Sequence, residues 1–433
     1  MRLITPAPLH GSLAAQPSKS AAHRALLCAA LAPGQSLVSP LPLNLDVTAT
    51  LRAVRALGLA QTTFTPLAEG ADTATCTVTG GLVPQAGPRA VDCGESGSTL
   101  RFLIPLALDG RGPVSFRGQG RLLARPLEPY RDLFAPRGAR WQQTAESLTV
   151  EGSLSPDDFV LPGDVSSQFI TGLLLALPRL AGDSRILLTG PLESKGYVDL
   201  TLQAMARCGV CAGWADERTL LVPGRQTYAP GAMRVEGDWS HAAFALVGGL
   251  LGGGVTLTGL DAQSAQADKA AVDILRAMGG QVTWEADTLM ARPSALHGAG
   301  IDAAQVPDLV PALAVAACGA RGETRIHGAA RLRIKESDRL AALAGELGRL
   351  GADIAELPDG LCIRGGPLRG GAADSRNDHR ITMALAVAAA LCEGPITLAG
   401  DESVAKSAPG FWREYTALGG KSACADSGGT SCS

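Results

Sequence analysis

Several cations stand where an α-helix disfavours them. Lys19 directly precedes an apolar run and Arg24 follows one turn later; Arg101 follows Ser98, Arg339 follows the string KESD, and Arg380 follows Asp378 and His379. A helix N-terminus already carries about half a unit of positive charge, so each such placement costs roughly 0.3–1 kcal/mol. The plain alternative is that each cation is solvated or paired with a neighbouring acid. Repetition along the chain argues instead for a ligand, because free backbone N–H groups, serine hydroxyls and cations at a helix start together bind phosphate or carboxylate. The implied ligand is a small polyanion. A second cluster places Arg331, Arg333, Lys335, Glu336, Asp338 and Arg339 within nine residues. Taken with Asp308, Lys335 and Glu336 offer general acid–base groups in a field of cations, which keeps carboxylates ionised and leaves a lysine ready to share its proton. Strings of the type GxxxxGK[ST], HExxH and GxSxG are absent. Nucleotide hydrolysis and zinc or serine hydrolase chemistry are therefore poorly supported.

The elements that carry these residues repeat. A polar start, an Ala/Leu-rich run, a glycine turn and a short β-type segment recur six times, beginning at Ser20, Ser98, Ser166, Ser240, Asp308 and Asp378, with successive starts 68 to 78 residues apart. A regular period across the whole chain points to duplication of a motif that cannot bury its faces alone. The runs are apolar nearly all round, which for a helix means burial on every side. Between them lie amphipathic segments at 48–57, 198–207, 267–278 and 337–350, the last with Leu340, Leu343, Leu347 and Leu350 on one stripe. An open sheet with helices on both faces does not ask for helices apolar all round. The pattern predicts an α/β fold of six units with one buried and one exposed helix each and sheets on the outside, divided into two domains of three with a joint near 227–231.

Composition sets limits on function. The chain has 433 residues, enough for two or three domains, with 46% hydrophobic and 18% charged residues, and its mean hydropathy is +0.15. Lys and Arg number 38 against 41 Asp and Glu, for a net charge of −3, and five Trp, four Tyr and eight Phe are too few for a basic stripe with stacking rings. No nucleic-acid partner is expected. The ten cysteines are scattered, several inside apolar runs, which suits a reduced, cytoplasmic setting. Cys208 and Cys211 form the only CxxC, with no second pair or nearby histidine, so no metal site is expected. The first ten residues show no cationic-then-apolar leader pattern. The longest uncharged stretch, 242–260, carries six glycines and reads as helix, turn and strand rather than as a membrane span.

Ten segments, in order from residue 16 to 412, resemble the EPSP synthase family of 3-phosphoshikimate 1-carboxyvinyltransferases: QPSKSAAHRALLCAAL, SGSTLRFL, ARPLEPYRDLF, GDVSSQFITGLLLA, SKGYVDLTL, VEGDWSHAAFAL, PDLVPALAV, LRIKESDRL, NDHRITMALAVA and VAKSAPGFW. The resemblance implies two inside-out α/β domains, each of three repeated βαβαββ-type units. The first would span 14–231, and the second would join 1–13 to 232–420. Residues 421–433 look like a disordered tail. It further implies transfer of the enolpyruvyl group of phosphoenolpyruvate to the 5-hydroxyl of shikimate 3-phosphate, a step of the shikimate pathway to chorismate and the aromatic amino acids. Carried over motif by motif, Lys19, Gly97, Arg125, Gln168, Arg339, Arg380 and Lys406 would hold phosphoenolpyruvate. Ser20, Arg24, Ser166, Ser167, Gln168, Ser194, Tyr197, Asp308 and Lys335 would hold shikimate 3-phosphate. Asp308 and Glu336 would move protons, and Lys19 would assist phosphate departure. No metal or organic cofactor is implied, a monomer is expected, and glyphosate would compete for the phosphoenolpyruvate site.

Four positions depart from the family pattern. Glu95 stands where Asn is usual, which weakens phosphoenolpyruvate binding unless Glu95 pairs with a cation such as Arg125. Arg331 replaces an Asn of some members, and Trp239 and His241 replace smaller residues. A sister enolpyruvyl transferase acting on UDP-N-acetylglucosamine would carry a loop cysteine, yet none lies in 110–120. A binding protein without catalysis could use the cations alone. Retention of Asp308, Lys335 and Glu336 together favours an enzyme.

Overall fold

The computed structural model describes residues 1–69 and 71–424. They form two compact units, one of Met1–Gln16 with the chain from Gly237 onward, the other of Pro17–Glu236. Each unit contains three four-stranded sheets around buried helices. Those helices are Lys19–Leu31, Gly97–Ala107 and Ser167–Ala176 in one unit and Trp239–Leu251, Val310–Cys318 and His379–Ala388 in the other. Every residue of Val310–Cys318 is buried, as a helix enclosed by sheet and helix neighbours requires. The fold is the inside-out α/β arrangement read from the sequence.

Three of the buried helices start one residue before the expected repeat start, at Lys19, Gly97 and Trp239, and five carry a side-chain cap just ahead of the first turn. Ser18 accepts from the Ala21 N–H, Ser96 from Thr99, Ser166 from Gln168, Asp238 from His241 and Asp378 from Arg380. Val310–Cys318 lacks a side-chain cap and instead continues a 3₁₀ turn, Pro307–Leu309, which carries Asp308. The exposed helices take the amphipathic segments. In Arg339–Arg349 the buried face includes Leu340, Leu343 and Leu347, each contributing about 1.5–3 kcal/mol by burial. Asn44 begins its helix, Leu45–Ala56, three residues earlier than periodicity suggested by capping the Val47 N–H. Trp239–Leu251 stops at Gly252 and a strand follows at Gly254–Thr258, so 242–260 is helix, turn and strand. Among the described residues no helix is long and apolar enough to cross a membrane.

All six sheets share one pairing scheme. Asp158–Pro162 runs parallel to Ser184–Thr189 across the buried Ser167–Ala176 helix; Ser184–Thr189 is antiparallel to Thr219–Val222, which pairs in turn with Gly213–Trp214. Three sheets are completed by strands distant in sequence. Arg2–Thr5 lies between Ile396–Ala399 and Lys421–Cys424, His10–Ala14 runs parallel to Gly254–Thr258, and Ala232–Arg234 runs parallel to Gly34–Pro42. The last pairing moves the expected border: with Ala232 opposite Leu37, residues 232–236 belong to the unit that starts at Pro17 rather than to the second domain. The N-terminal border likewise lies at 16/17. The first four residues of the expected tail are ordered instead. Lys421–Cys424 forms the edge strand beside Arg2–Thr5, Arg2 facing Cys424 and donating to Ser422 Oγ at 3.4 Å, and pairing there satisfies backbone groups that would otherwise lie open. Residues 425–433 of that expectation lie outside the described residues.

Close packing fixes the register of two buried helices. A Cβ placed on Gly172 would overlap Tyr130 Oη and the Arg101 carbonyl, so Gly97–Ala107 and Ser167–Ala176 approach where only glycine fits. Tyr130 Oη donates toward that carbonyl at 3.0 Å and the Phe169 carbonyl at 2.8 Å, tying the two helices together near their starts.

Candidate functional site

In the Pro17–Glu236 unit, the three buried helices bring their first turns and the preceding loops into one polar network. Lys19, the first helical residue after Ser18, reaches Asp46 Oδ2 at 3.0 Å; Asp46 lies in the first turn of Leu45–Ala56, where an acid complements the helix dipole. Arg24 is buried and donates to Thr201 Oγ1 at 2.8 Å, the Ser20 carbonyl at 2.8 Å, Thr171 Oγ1 at 3.3 Å and the Tyr197 carbonyl at 2.9 Å. These partners are all neutral. Burial therefore pushes Arg24 down to about 10, which leaves it charged at neutral pH. Its guanidinium also lies over Phe102 and Tyr197. Ser166 caps the third helix, Ser167 is its buried first residue, and Ser194 sits before Lys195–Arg207 with a left-handed φ of 56°, uncommon for a residue with a side chain.

Gln168 links two of the helix starts. Arg101 donates to its Oε1 at 2.9 Å, and its Nε2 donates to Ser98 Oγ at 3.1 Å. Around Gly97 the geometry leaves a small cradle. A Cβ there would stand 2.9 Å from Arg101 Nη1, 3.0 Å from Arg125 Nη1 and 3.4 Å from Gln168 Oε1. Two guanidinium groups and an amide thus converge on a glycine at a helix N-terminus, an arrangement suited to an anion. The Glu95 carboxylate lies against Gly120, with Cδ 3.0 Å from the position of an added Cβ.

The other unit gathers a denser set of charges. Asp308 Oδ1 accepts from Arg339 Nη1 at 2.9 Å and lies 3.6 Å from Lys335 Nζ, while Oδ2 is 3.3 Å from Arg380 Nη2. Arg339 is only 1% exposed and donates also to Glu336 Oε2 at 2.9 Å and Asp378 Oδ2 at 2.8 Å. Arg380 adds bonds to the Asp308 carbonyl at 3.0 Å and Ser240 Oγ at 2.8 Å. Lys406, on the Asp401–Lys406 turn, donates to the Asn377 carbonyl at 2.7 Å. Burial by itself would raise the Asp308 carboxyl, but Arg380, Lys335 and Arg339 hold it well below the usual range. Burial lowers Lys335, and Asp308 only partly restores it. For Arg339, burial is outweighed by Asp378, Glu336 and Asp308, so it is raised. The result is an ionised carboxylate among cations beside a second acid, a set of charges suited to meeting a polyanion.

Of the residues expected to hold substrate, those from Lys19 to Tyr197 lie in one unit and Asp308, Lys335, Arg339, Arg380 and Lys406 in the other, and several of the cations are paired with acids. Lys19 has Asp46, Arg339 has three carboxylates and Arg380 has Asp308. Asp46 and Asp378, which pair with Lys19 and Arg339, are not among the residues expected from the sequence. Asp378 is fully buried, caps His379–Ala388, and accepts from both Arg339 and Ser337. The sequence signal was available in the capping aspartate beside an arginine, yet its partner lies 39 residues away. The departures from the family pattern are largely structural. Trp239 is buried and donates to the Asp261 carbonyl at 3.2 Å; Arg331 donates to the Ala304 carbonyl at 3.0 Å. His241 Nε2 lies 2.8 Å from Glu414 Oε2, and although burial works against it, Glu414 raises this imidazole above its usual range.

The fold is that of the enolpyruvyl transferases: the enolpyruvyl transferase NikO from Streptomyces tendae superimposes with a TM-score of 0.78 at 20% identity, covering 98% of each chain. An EPSP synthase structure from Acinetobacter baumannii gives a TM-score of 0.80 at 27% identity over 98% of this chain and 99% of that one. The family model for EPSP synthase (3-phosphoshikimate 1-carboxyvinyltransferase) matches residues 3–415. Proteins named 3-phosphoshikimate 1-carboxyvinyltransferase from Clostridium novyi and Clostridium kluyveri are each 43% identical over 421 residues, covering 96% of this chain and 97% of theirs. The chain belongs to the EPSP synthase family.

Proposed function

We propose that the two clusters run this family's reaction. The 5-hydroxyl oxygen of shikimate 3-phosphate bonds to C2 of phosphoenolpyruvate as C3 takes a proton; the tetrahedral ketal phosphate then loses inorganic phosphate from C2 and a proton from C3. Lys19, Gly97, Arg125, Gln168, Arg339, Arg380 and Lys406 hold phosphoenolpyruvate. Ser20, Arg24, Ser166, Ser167, Gln168, Ser194, Tyr197, Asp308 and Lys335 hold shikimate 3-phosphate. Asp308 takes and returns protons with Glu336, and Lys19 neutralises the departing phosphate. The observation that carries this reading is the Asp308 carboxylate in contact with Lys335, Arg339 and Arg380, beside Glu336. Cations already fixed in place stabilise developing charge without reorganising at the moment of reaction.

Turnover in D₂O tests the route. Transient protonation at C3 puts deuterium into the vinyl group of the product; an unlabelled vinyl group, or free pyruvate from attack at phosphorus, would reject it.

Lys335 supplies a pH prediction. Its pKa is lowered by burial, so the cation that faces the substrate is lost below the ordinary lysine value of 10.5. The alkaline fall of kcat/KM for shikimate 3-phosphate is expected below that value, and Lys335→Arg is expected to move it upward. An unshifted fall in Lys335→Arg would remove Lys335 from this role.

The cradle at Gly97 also predicts inhibition by glyphosate in competition with phosphoenolpyruvate. Gly97→Ala is expected to raise KM for phosphoenolpyruvate and weaken glyphosate together, since the added Cβ would lie 2.9 to 3.4 Å from Arg101, Arg125 and Gln168. Turnover indifferent to millimolar glyphosate would contradict this. The chain is proposed to act as a cytoplasmic monomer. Free thiols at all nine cysteines among the described residues support the reducing setting, and light scattering checks the mass.

A further inference from the structure

Behind the Gly97 helix start runs a buried line of four polar side chains. His23 Nδ1 lies 2.8 Å from Thr50 Oγ1, which is 2.7 Å from Thr99 Oγ1, which is 2.7 Å from Ser96 Oγ. None of the four residues is more than 1% exposed. A hydroxyl has one proton to give, so the direction of the chain follows from one end. At the last link Thr99 is the donor and Ser96 the acceptor. The Asp46 carbonyl, at 3.4 Å, is a poorer acceptor for the same proton. Thr99 must then accept from Thr50, and Thr50 from His23, whose proton sits on Nδ1. The bare Nε2 is buried and has no hydrogen-bond partner, as this tautomer allows and a doubly protonated ring would not. Burial, with Lys19 and Arg24 nearby, keeps the ring neutral.

At the far end, Ser96 Oγ receives the Thr99 hydroxyl and, at 3.1 Å, the Thr99 backbone N–H. Both acceptor positions are filled, and its own proton is unspent. That proton sits at the helix start, next to the residue whose Cβ position is faced by Arg101 and Arg125.

We propose that Ser96 is a further phosphoenolpyruvate-binding residue, its hydroxyl donating to an anionic oxygen of the ligand, and that His23, Thr50 and Thr99 are positioning residues that fix where that proton points. The proposal rests on reading Gly97, Arg125 and Gln168 as the phosphoenolpyruvate side of the site. It adds a neutral donor that the cation pattern did not reveal.

Glycine is nearly as good an N-cap as serine, so Ser96→Gly removes the hydroxyl with little structural cost. Its KM for phosphoenolpyruvate is expected to rise about tenfold or more, the loss of a hydrogen bond to a charged group, while KM for shikimate 3-phosphate stays within about twofold and Tm within about 2 °C. His23→Leu is expected to show the same selective change. His23→Asn, whose amide can donate from the position of Nδ1, is expected to restore it. An unchanged KM for phosphoenolpyruvate in Ser96→Gly, a rise in both KM values together with a fall in Tm, or failure of Asn to outperform Leu at residue 23 would overturn the proposal. Transferase activity in the unaltered chain with no effect of Ser96→Gly overturns this proposal alone; no activity in the unaltered chain overturns the reading beneath it as well.

Discussion

Asp308→Asn is expected to lower kcat by about 10²–10⁴-fold, the range that a positioned acid–base group contributes. The amide keeps the shape of the carboxylate and one acceptor for Arg339 or Arg380, but it cannot take a proton from the attacking hydroxyl. The substitution also removes the negative charge that Lys335, Arg339 and Arg380 share. Because the Asp308 carboxyl is held below its usual 3.8, its contribution to stability is present above that value and fades as pH falls through the lowered one. A drop in Tm is thus expected at pH 7 and should shrink toward acid pH. Circular dichroism at the assay temperature separates the two effects: folded protein with lost turnover supports proton transfer by Asp308. Near-normal kcat in a folded variant would remove Asp308 from that role.

Lys19→Ala is expected to reduce kcat/KM by about 10²–10³-fold, comparable to removing one fixed donor from a developing anion. Stability should change little. A lysine in the first turn works against the helix dipole, and relief of that repulsion offsets part of what is lost with its ion pair to Asp46. Asp46 remains favourably placed in the first turn of its own helix after the change. Steady-state kinetics alongside thermal melts decide the point. A large fall in Tm with proportionate loss of activity would make Lys19 structural.

The repeat, the buried character of six helices and the presence of sheets outside them were legible because burial on all sides leaves an unmistakable apolar run, and because duplication prints that run at a near-constant spacing. Borders were less so. Ala232–Arg234 reads as the start of the next repeat until its pairing with Gly34–Pro42 is seen, and Lys421–Cys424 has too little hydrophobic pattern to announce a strand. At the site, cations at helix starts pointed to an anion, yet two of the acids that hold them in place, Asp378 and Asp46, did not stand out. Asp378 meets Arg339 only through the packing of one repeat on another, and Asp46 meets Lys19 through the return of the chain after a strand. The hydroxyl line from His23 to Ser96 was invisible for the same reason: threonines and serines in helices carry no periodic signal, and only their distances reveal a shared proton order.

Phosphate release measured with both substrates, and with each omitted in turn, tests the central claim most directly. Inorganic phosphate should appear only when phosphoenolpyruvate and shikimate 3-phosphate are present together, one equivalent for each enolpyruvyl group transferred. Release from phosphoenolpyruvate alone, or none with both substrates supplied to folded protein, would contradict the account.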